Sequence, residues 1–197
     1  MIIGQFETKN MKLLIIYGTT EGQTRKIARF MADILKGMGH EVTLADASED
    51  PPGPGLFDAV IIGASIHMHK YQAAVSHYIT REASGLNRKS SAFFSVCLAV
   101  ASDIEEEHHE AEQICSNFLF NAGWKPRMTI QIAGALKYTE YDFFKRLIMK
   151  MISKREGRST DTSRDYEYTD WNAVTKFVTD FADKVVQSQG KSVVIQQ

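Results

Sequence analysis

Apolar positions follow two patterns along the chain. Short continuous runs, such as Leu13, Leu14, Ile15 and Ile16, predict strands covered on both faces. Between these runs, apolar residues recur every three or four positions and predict amphipathic helices. Strands are predicted at Lys12 to Tyr17, Glu41 to Ala45, Ala59 to Gly63, Ala92 to Cys97 and Met128 to Ala133. The helix predicted from Gln23 to Met38 sets Ile27, Met31, Ile34, Leu35 and Met38 on one face, and Gly39 stops it. A second helix is predicted from Gln72 to Ala83. A third runs from Ile104 to Asn121, with Glu105, Glu106 and Glu107 placed where a helix N-terminus favours negative charge. The last runs from Asp170 to Gln187, with Trp171, Val174, Phe177, Val178, Phe181 and Val185 apolar. Asp50-Pro51-Pro52-Gly53-Pro54-Gly55 predicts a loop with neither helix nor strand.

Five strands alternating with helices predict an α/β fold, a parallel sheet with helices on both faces. Ligands of such sheets bind outside the carboxyl ends of the strands. The loops that matter therefore follow Tyr17, Gly63, Cys97 and Gly134. The residues from Ala135 to Thr169 are too many for a simple connection. Within them Phe143, Phe144, Leu147, Ile148, Met151 and Ile152 recur at helical spacing. Lys145, Arg146, Lys150, Lys154, Arg155 and Arg158 are interleaved with them, against one acid, Glu156. Two readings fit this stretch: a helix packed on the body with a solvated basic face, or an interfacial helix at an anionic membrane surface.

Composition narrows the class. At 197 residues, with 44% apolar and 24% charged, the chain suits one folded domain rather than disorder. A formal net charge of -1 supplies no global basic field for nucleic acid. No apolar run reaches the ~18 residues of a spanning helix. The start, Met1-Ile2-Ile3-Gly4-Gln5-Phe6-Glu7, lacks the basic and apolar regions of a secretory signal. Cys97 and Cys115, with no Cys-x-x-Cys, point to a reducing compartment and away from a disulfide framework or structural zinc.

The candidate chemistry starts at Gly18-Thr19-Thr20-Glu21-Gly22-Gln23-Thr24, between a strand and a helix. Hydroxyls and a glycine at a helix N-terminus read as an anion site, where free N–H groups and the helix dipole face a phosphate, or as a threonine-rich N-cap. No Gly-Lys-Ser/Thr follows, so it is not a Walker A loop, and no Gly-x-Gly-x-x-Gly marks a dinucleotide. A phosphate-receiving signalling domain would need an acid at the end of the third strand. Gly63-Ala64-Ser65 stands there instead.

Thr19-x-Glu21-Gly22-x-Thr24 after a first strand resembles the FMN-phosphate loop of flavodoxins. Several other segments also match: Gly63-Ala64-Ser65-Ile66-His67, Phe94-Ser95-Val96, Ile132-Ala133-Gly134-Ala135-Leu136-Lys137-Tyr138, Thr160-Asp161-Thr162 and Tyr168-Thr169-Asp170-Trp171. Together they resemble the flavodoxin-type, quinone-dependent protoporphyrinogen IX dehydrogenases of bacteria, from about Met11 to about Asp183. The resemblance implies a flavodoxin-like fold with strand order 2-1-3-4-5, one domain over residues 11–188 with an insertion at 137–169, and flexible ends at 1–10 and 189–197. It implies an FMN cofactor held by Thr19, Thr20, Glu21, Gly22, Gln23 and Thr24 at the phosphate. Ser65, Ile66 and His67 would lie beside the ring, with Val96, Cys97 and Leu98 against its other side. The implied activity is oxidation of protoporphyrinogen IX, or another reduced small molecule, with menaquinone or ubiquinone as acceptor, in heme biosynthesis. The implied location is cytoplasmic, with peripheral contact on the inner face of the cell membrane through residues 143–158. No catalytic acid or base is assigned.

Two features depart from the family pattern. The third loop reads Cys97-Leu98-Ala99-Val100-Ala101-Ser102-Asp103, where relatives often carry basic or amide side chains, and His69 stands where they often have glycine. His67, His69 and His77 lack a carboxylate or cysteine at ligand spacing, so no metal site is expected. His108 and His109, among glutamates, read as a solvated helix face. Cys97 reads as a small residue lining the ring site, since the acids after it do not favour a thiolate. Two other functions remain open on the residues alone: an electron-carrier flavodoxin and an NAD(P)H:quinone reductase.

Overall fold

A computed structural model describes residues 10–136 and 166–194. Five parallel strands form one sheet in the order β2-β1-β3-β4-β5. They are β1 (Lys12–Gly18), β2 (Glu41–Asp46), β3 (Ala59–Ser65), β4 (Ser90–Val96) and β5 (Met128–Ile132). The expected order is the observed one. The central strands carry continuous apolar runs because both sheet faces are covered. Leu13, Ile15, Ile61 and Phe94 point into one core. Leu14, Ile16, Val60, Ile62 and Phe93 point into the other.

Helix α1 (Gln23–Gly37) brings Ile27, Met31 and Leu35 to the first core. The C-terminal helix α4 (Trp171–Val194) adds Val174, Phe177, Val178, Phe181 and Val185 beside it. Helices α2 (Ala73–Arg88) and α3 (Glu105–Asn121) close the second core with Val75, Tyr78, Ile79, Leu86 and Cys115. Trp124, following α3, is buried there with its indole N–H donating to Ser91 Oγ at 3.0 Å.

Four details differ from the sequence expectation. Helix α2 continues past Ala83 to Arg88, since Leu86 still reaches the core and Gly85 lets Pro54 pack close, where a Cβ would meet the Pro54 ring at 2.7 Å. The stretch expected as pure loop ends in a 3₁₀ turn at Pro54–Leu56, because proline at the first turn lacks only an N–H that would have no partner. Helix α4 runs on to Val194, beyond Gln187 where the apolar period fades. A second, two-stranded antiparallel sheet pairs β6 (Ala135–Leu136) with β7 (Tyr166–Glu167), joining the two ends of the long connection. The basic amphipathic stretch at 143–158 and Thr160-Asp161-Thr162 lie outside the described residues.

His40, between α1 and β2, is buried, and neither ring nitrogen has a hydrogen-bond partner among the described residues. Burial holds its imidazole below the ordinary value, partly opposed by the Asp183 charge. The unfolded chain therefore takes up this proton first as pH falls below about 6.5. The stability His40 confers is complete above that pH and is lost as pH falls toward the lowered folded value. His40→Leu should flatten the decline in unfolding free energy between about pH 6.5 and 5 in urea titrations. An unchanged slope would show that other groups set the acid limit.

Candidate functional site

The carboxyl ends of β1, β3, β4 and β5 converge on one edge of the sheet. Leaving β1, the Gly22 N–H donates to Thr19 Oγ1 at 2.9 Å, so that hydroxyl keeps its own proton to give elsewhere. Gly22 has φ +94, a left-handed conformation that glycine adopts without strain. Among the described residues no side chain caps α1, and its first turn holds no acid. Its first N–H groups are therefore open to an anion at the positive end of the helix. Thr24 is 1% exposed, and its hydroxyl has no partner among the described residues. A buried hydroxyl without a partner costs about 1–3 kcal/mol. Here it belongs to the loop that sequence alone marks as a phosphate cradle.

The loop after β3 is tied to the first one. Ser65, at the strand's last position, is buried. Its N–H donates to Gln72 Oε1 at 3.2 Å, and Gln72 Nε2 donates to Ser65 Oγ at 2.6 Å and to Thr20 Oγ1 at 3.1 Å. His67 Nε2 lies 3.2 Å from Ser65 Oγ. Residues 67–70 form a tight hairpin in which the His67 and Lys70 backbones exchange hydrogen bonds. Both central residues have positive φ, Met68 at 48° and His69 at 62°. Such a turn favours asparagine or glycine, so His69 carries backbone strain here. Its Nδ1 pairs with Glu110 Oε1 on α3 at 3.1 Å, and Met68 is exposed at the tip.

The third loop leaves β4 at Val96, which is buried within the strand and whose carbonyl accepts the Ile66 N–H at 2.9 Å. Cys97 follows in extended backbone, its N–H donating to the Ile132 carbonyl of β5. Leu98–Ala101 form a 3₁₀ turn. Burial, with smaller contributions from Glu110 and Glu107, pushes the Cys97 thiol up, so it is a thiol at neutral pH and no nucleophile. His108 is not the solvated residue its sequence context predicts. Its Nε2 lies 2.6 Å from the Ser102 carbonyl, folding the α3 entrance back on the loop. Beneath, Tyr71 and Ser95 hydroxyls meet at 2.8 Å, and burial raises the phenol. That pair is structural packing behind the site.

The exit from β5 completes the edge. Thr169 Oγ1 donates to the Ala133 carbonyl at 2.8 Å and accepts from Gln23 Nε2 at 2.9 Å. The Tyr168 N–H donates to the Gly134 carbonyl. Glu167 takes hydrogen bonds from Lys26 and from the Trp171 indole. Its partial burial alone would raise the carboxyl, but these bonds and the Lys26 charge hold it below its ordinary value. Asp170 accepts the Asn172 and Ala173 N–H groups and so caps α4. The Tyr-Thr-Asp-Trp segment thus anchors the end of the long connection against the first turn of α1.

All twelve residues expected at a cofactor lie in these first three loops or the strand and helix ends beside them. Continuous hydrogen bonds link Thr20 to His67 and Gln23 to Ala133. Sequence reasoning missed Gln72 and Thr169. For Gln72 the available signal was its place at a helix start on the carboxyl edge, whereas Thr169 lies in the Tyr168-Thr169-Asp170-Trp171 segment that the sequence already singled out. Chemically, the edge offers open N–H donors and hydroxyl protons, with Ile66, Val96 and Leu98 at the ends of β3 and β4 beside them.

Residues 14–163 match a protein family described as a flavodoxin domain. A protein of Escherichia coli (strain K12) is 38% identical over 173 residues, covering 87% of this chain and 95% of its own length. One of Leishmania major is 34% identical over 179 residues, covering 89% of this chain and 76% of its own. Both bear the name protoporphyrinogen IX dehydrogenase [quinone]. Among solved structures, a flavodoxin from the domain Archaea superposes with a TM-score of 0.52 at 15% identity, covering 89% of this chain and 99% of that one. At that identity it supports the fold alone.

Proposed function

As the chain belongs to the flavodoxin family, we propose that it is an FMN-dependent oxidoreductase that oxidises protoporphyrinogen IX to protoporphyrin IX, with a quinone as electron acceptor. The observation that carries the cofactor is the buried Thr24 hydroxyl, without a partner among the described residues, beside a start of α1 that none of their side chains caps. Those groups fit a phosphate. The activity rests on the two relatives, which span most of the chain. Thr19 to Thr24 would hold the phosphate, and Ser65, Ile66, His67, Val96, Cys97 and Leu98 would flank the ring. Bound FMN supplies the two-electron chemistry. The protein binds and orients it and sets the electrostatics around it. The absence of a dinucleotide fingerprint argues for FMN over FAD. The purified protein should be yellow, release FMN on denaturation and oxidise protoporphyrinogen anaerobically only when quinone is added. Release of FAD would overturn the cofactor assignment. NADH oxidation without porphyrinogen turnover would favour the reductase reading, and flavin without either turnover would favour an electron carrier.

The quinone is menaquinone or ubiquinone in this reading, reached by peripheral contact of residues 143–158 with the inner face of the cell membrane from a cytoplasmic location. Among the described residues no helix is long and apolar enough to cross a membrane. Six basic residues against one acid in that stretch support the contact. Each basic residue near an anionic surface contributes about 1 kcal/mol, and salt screens it. Replacing Lys145, Arg146, Lys150 and Lys154 by glutamine should lower binding to anionic vesicles and turnover with a lipid-soluble quinone. FMN content and turnover with a water-soluble acceptor should be nearly unchanged. Vesicle binding equal to the parent's would remove the membrane contact from the reading.

A further inference from the structure

Gln72 lies between the two loops assigned to the cofactor, and its hydrogen bonds have a fixed direction. A backbone N–H can only donate, so the Ser65 N–H, 3.2 Å away, must face the carboxamide oxygen. That contact settles which end of the amide is which. The NH₂ end then gives one hydrogen to Ser65 Oγ at 2.6 Å and the other to Thr20 Oγ1 at 3.1 Å. Both hydroxyl oxygens act as acceptors toward Gln72, so neither can turn its own proton back to it. Ser65 is 8% exposed, and a buried hydroxyl proton needs an acceptor. His67 Nε2 stands 3.2 Å from that oxygen. Thr20 is exposed, and its proton is free to face the loop that ends at the Thr24 hydroxyl, which has no partner among the described residues. The amide is held in place from below. A Cβ on Gly18 would meet Gln72 Oε1 at 3.2 Å and Val75 Cγ2 at 2.4 Å, so glycine at the end of β1 is what lets the start of α2 approach.

We infer that Gln72 is a positioning residue that sets proton direction at the site. Its carboxamide turns the Thr20 hydroxyl into a donor for a bound phosphate. Through Ser65 it also selects the His67 tautomer with its proton on Nδ1. The first half rests on the FMN reading, whereas the second stands on the protein alone. A glutamine is required because a carboxylate of the same shape only accepts. Glutamate would draw both hydroxyl protons to itself and leave Ser65 Oγ to accept from His67, reversing the imidazole tautomer.

The test is ¹⁵N NMR of the imidazoles at about pH 8, above the ordinary histidine range and far above that of a glutamate. The parent should show His67 as the Nδ1–H tautomer, with and without FMN, and Gln72→Glu should show the Nε2–H tautomer. The same tautomer in both proteins would overturn the inference. Should Gln72→Glu not fold, Ser65→Ala serves instead. His67 should then show a mixture of tautomers, and a pure Nδ1–H form would overturn the inference. For the phosphate half, Thr20→Val should weaken FMN binding about tenfold in the parent and less than about twofold in Gln72→Glu. Equal losses in both backgrounds would overturn that half. A parent that binds no flavin would instead refute the FMN reading, leaving the tautomer result to stand by itself.

Discussion

Thr24→Val is expected to raise the FMN dissociation constant at least tenfold while leaving the apoprotein as stable as the parent, or more stable. The two halves come from one atom. Thr24 is buried in the first turn of α1, and its hydroxyl lacks a partner among the described residues. In the apoprotein the hydroxyl is a desolvated polar group, and valine keeps the shape without that cost. In the complex it is a donor to a charged phosphate, a bond whose loss costs about 1.5–3 kcal/mol. Ordinary core substitutions move stability and binding in the same direction, so this opposition is diagnostic. Fluorescence titration with FMN and thermal unfolding of both apoproteins measure the two halves. An unchanged dissociation constant would place the phosphate elsewhere. A large fall in apoprotein melting temperature would show that the hydroxyl has a structural partner.

Gly63→Ala should be among the most destabilising single-methyl changes in the chain. In the sheet Gly63 lies between Tyr17 of β1 and Phe94 of β4. A Cβ there would fall 1.9 Å from Phe94 Cζ and 2.2 and 2.3 Å from its two Cε atoms. Phe94 is fully buried, so its ring has no open space to enter. Overpacking a core typically costs about 1–3 kcal/mol, and an overlap with three ring atoms belongs at the upper end. At about 2–4 °C per kcal/mol for a chain of this size, the melting temperature should drop by roughly 6–12 °C. Phe94→Leu in the same chain should recover part of that loss, because it removes the ring atoms the new methyl meets. Additive losses in the double variant would mean that the strain is in the backbone rather than against Phe94. Since β3 ends at Ser65, two residues on, Gly63→Ala should also weaken FMN binding in whatever fraction still folds.

The strands, their parallel pairing and the first loop were legible in the sequence because each depends on local pattern. Continuous runs such as Leu13 to Ile16, short and followed by a glycine turn, read as strands between two cores. Hydroxyls and glycine between a strand and a helix mark either an anion site or a threonine N-cap, and the structure, with no side-chain cap on α1 among the described residues, favours the first. The neighbouring Phe93 and Phe94 enter opposite cores because side chains alternate across a strand, a consequence the sequence already holds. Contacts between distant residues were not legible. Gln72 reads as an ordinary helix start until α2 packs over Gly18 and places its amide between Thr20 and Ser65, 52 and 7 residues away. Thr169 joins Gln23 and Ala133 only because the antiparallel pairing of β6 and β7 returns the chain to the edge it left. The His69–Glu110 pair and the return of His108 to Ser102 likewise depend on where α3 starts relative to the third loop. Periodicity decides which face of an element is buried. Which polar side chains meet at the sheet's edge is decided by the packing of one element on another, and no local pattern records that.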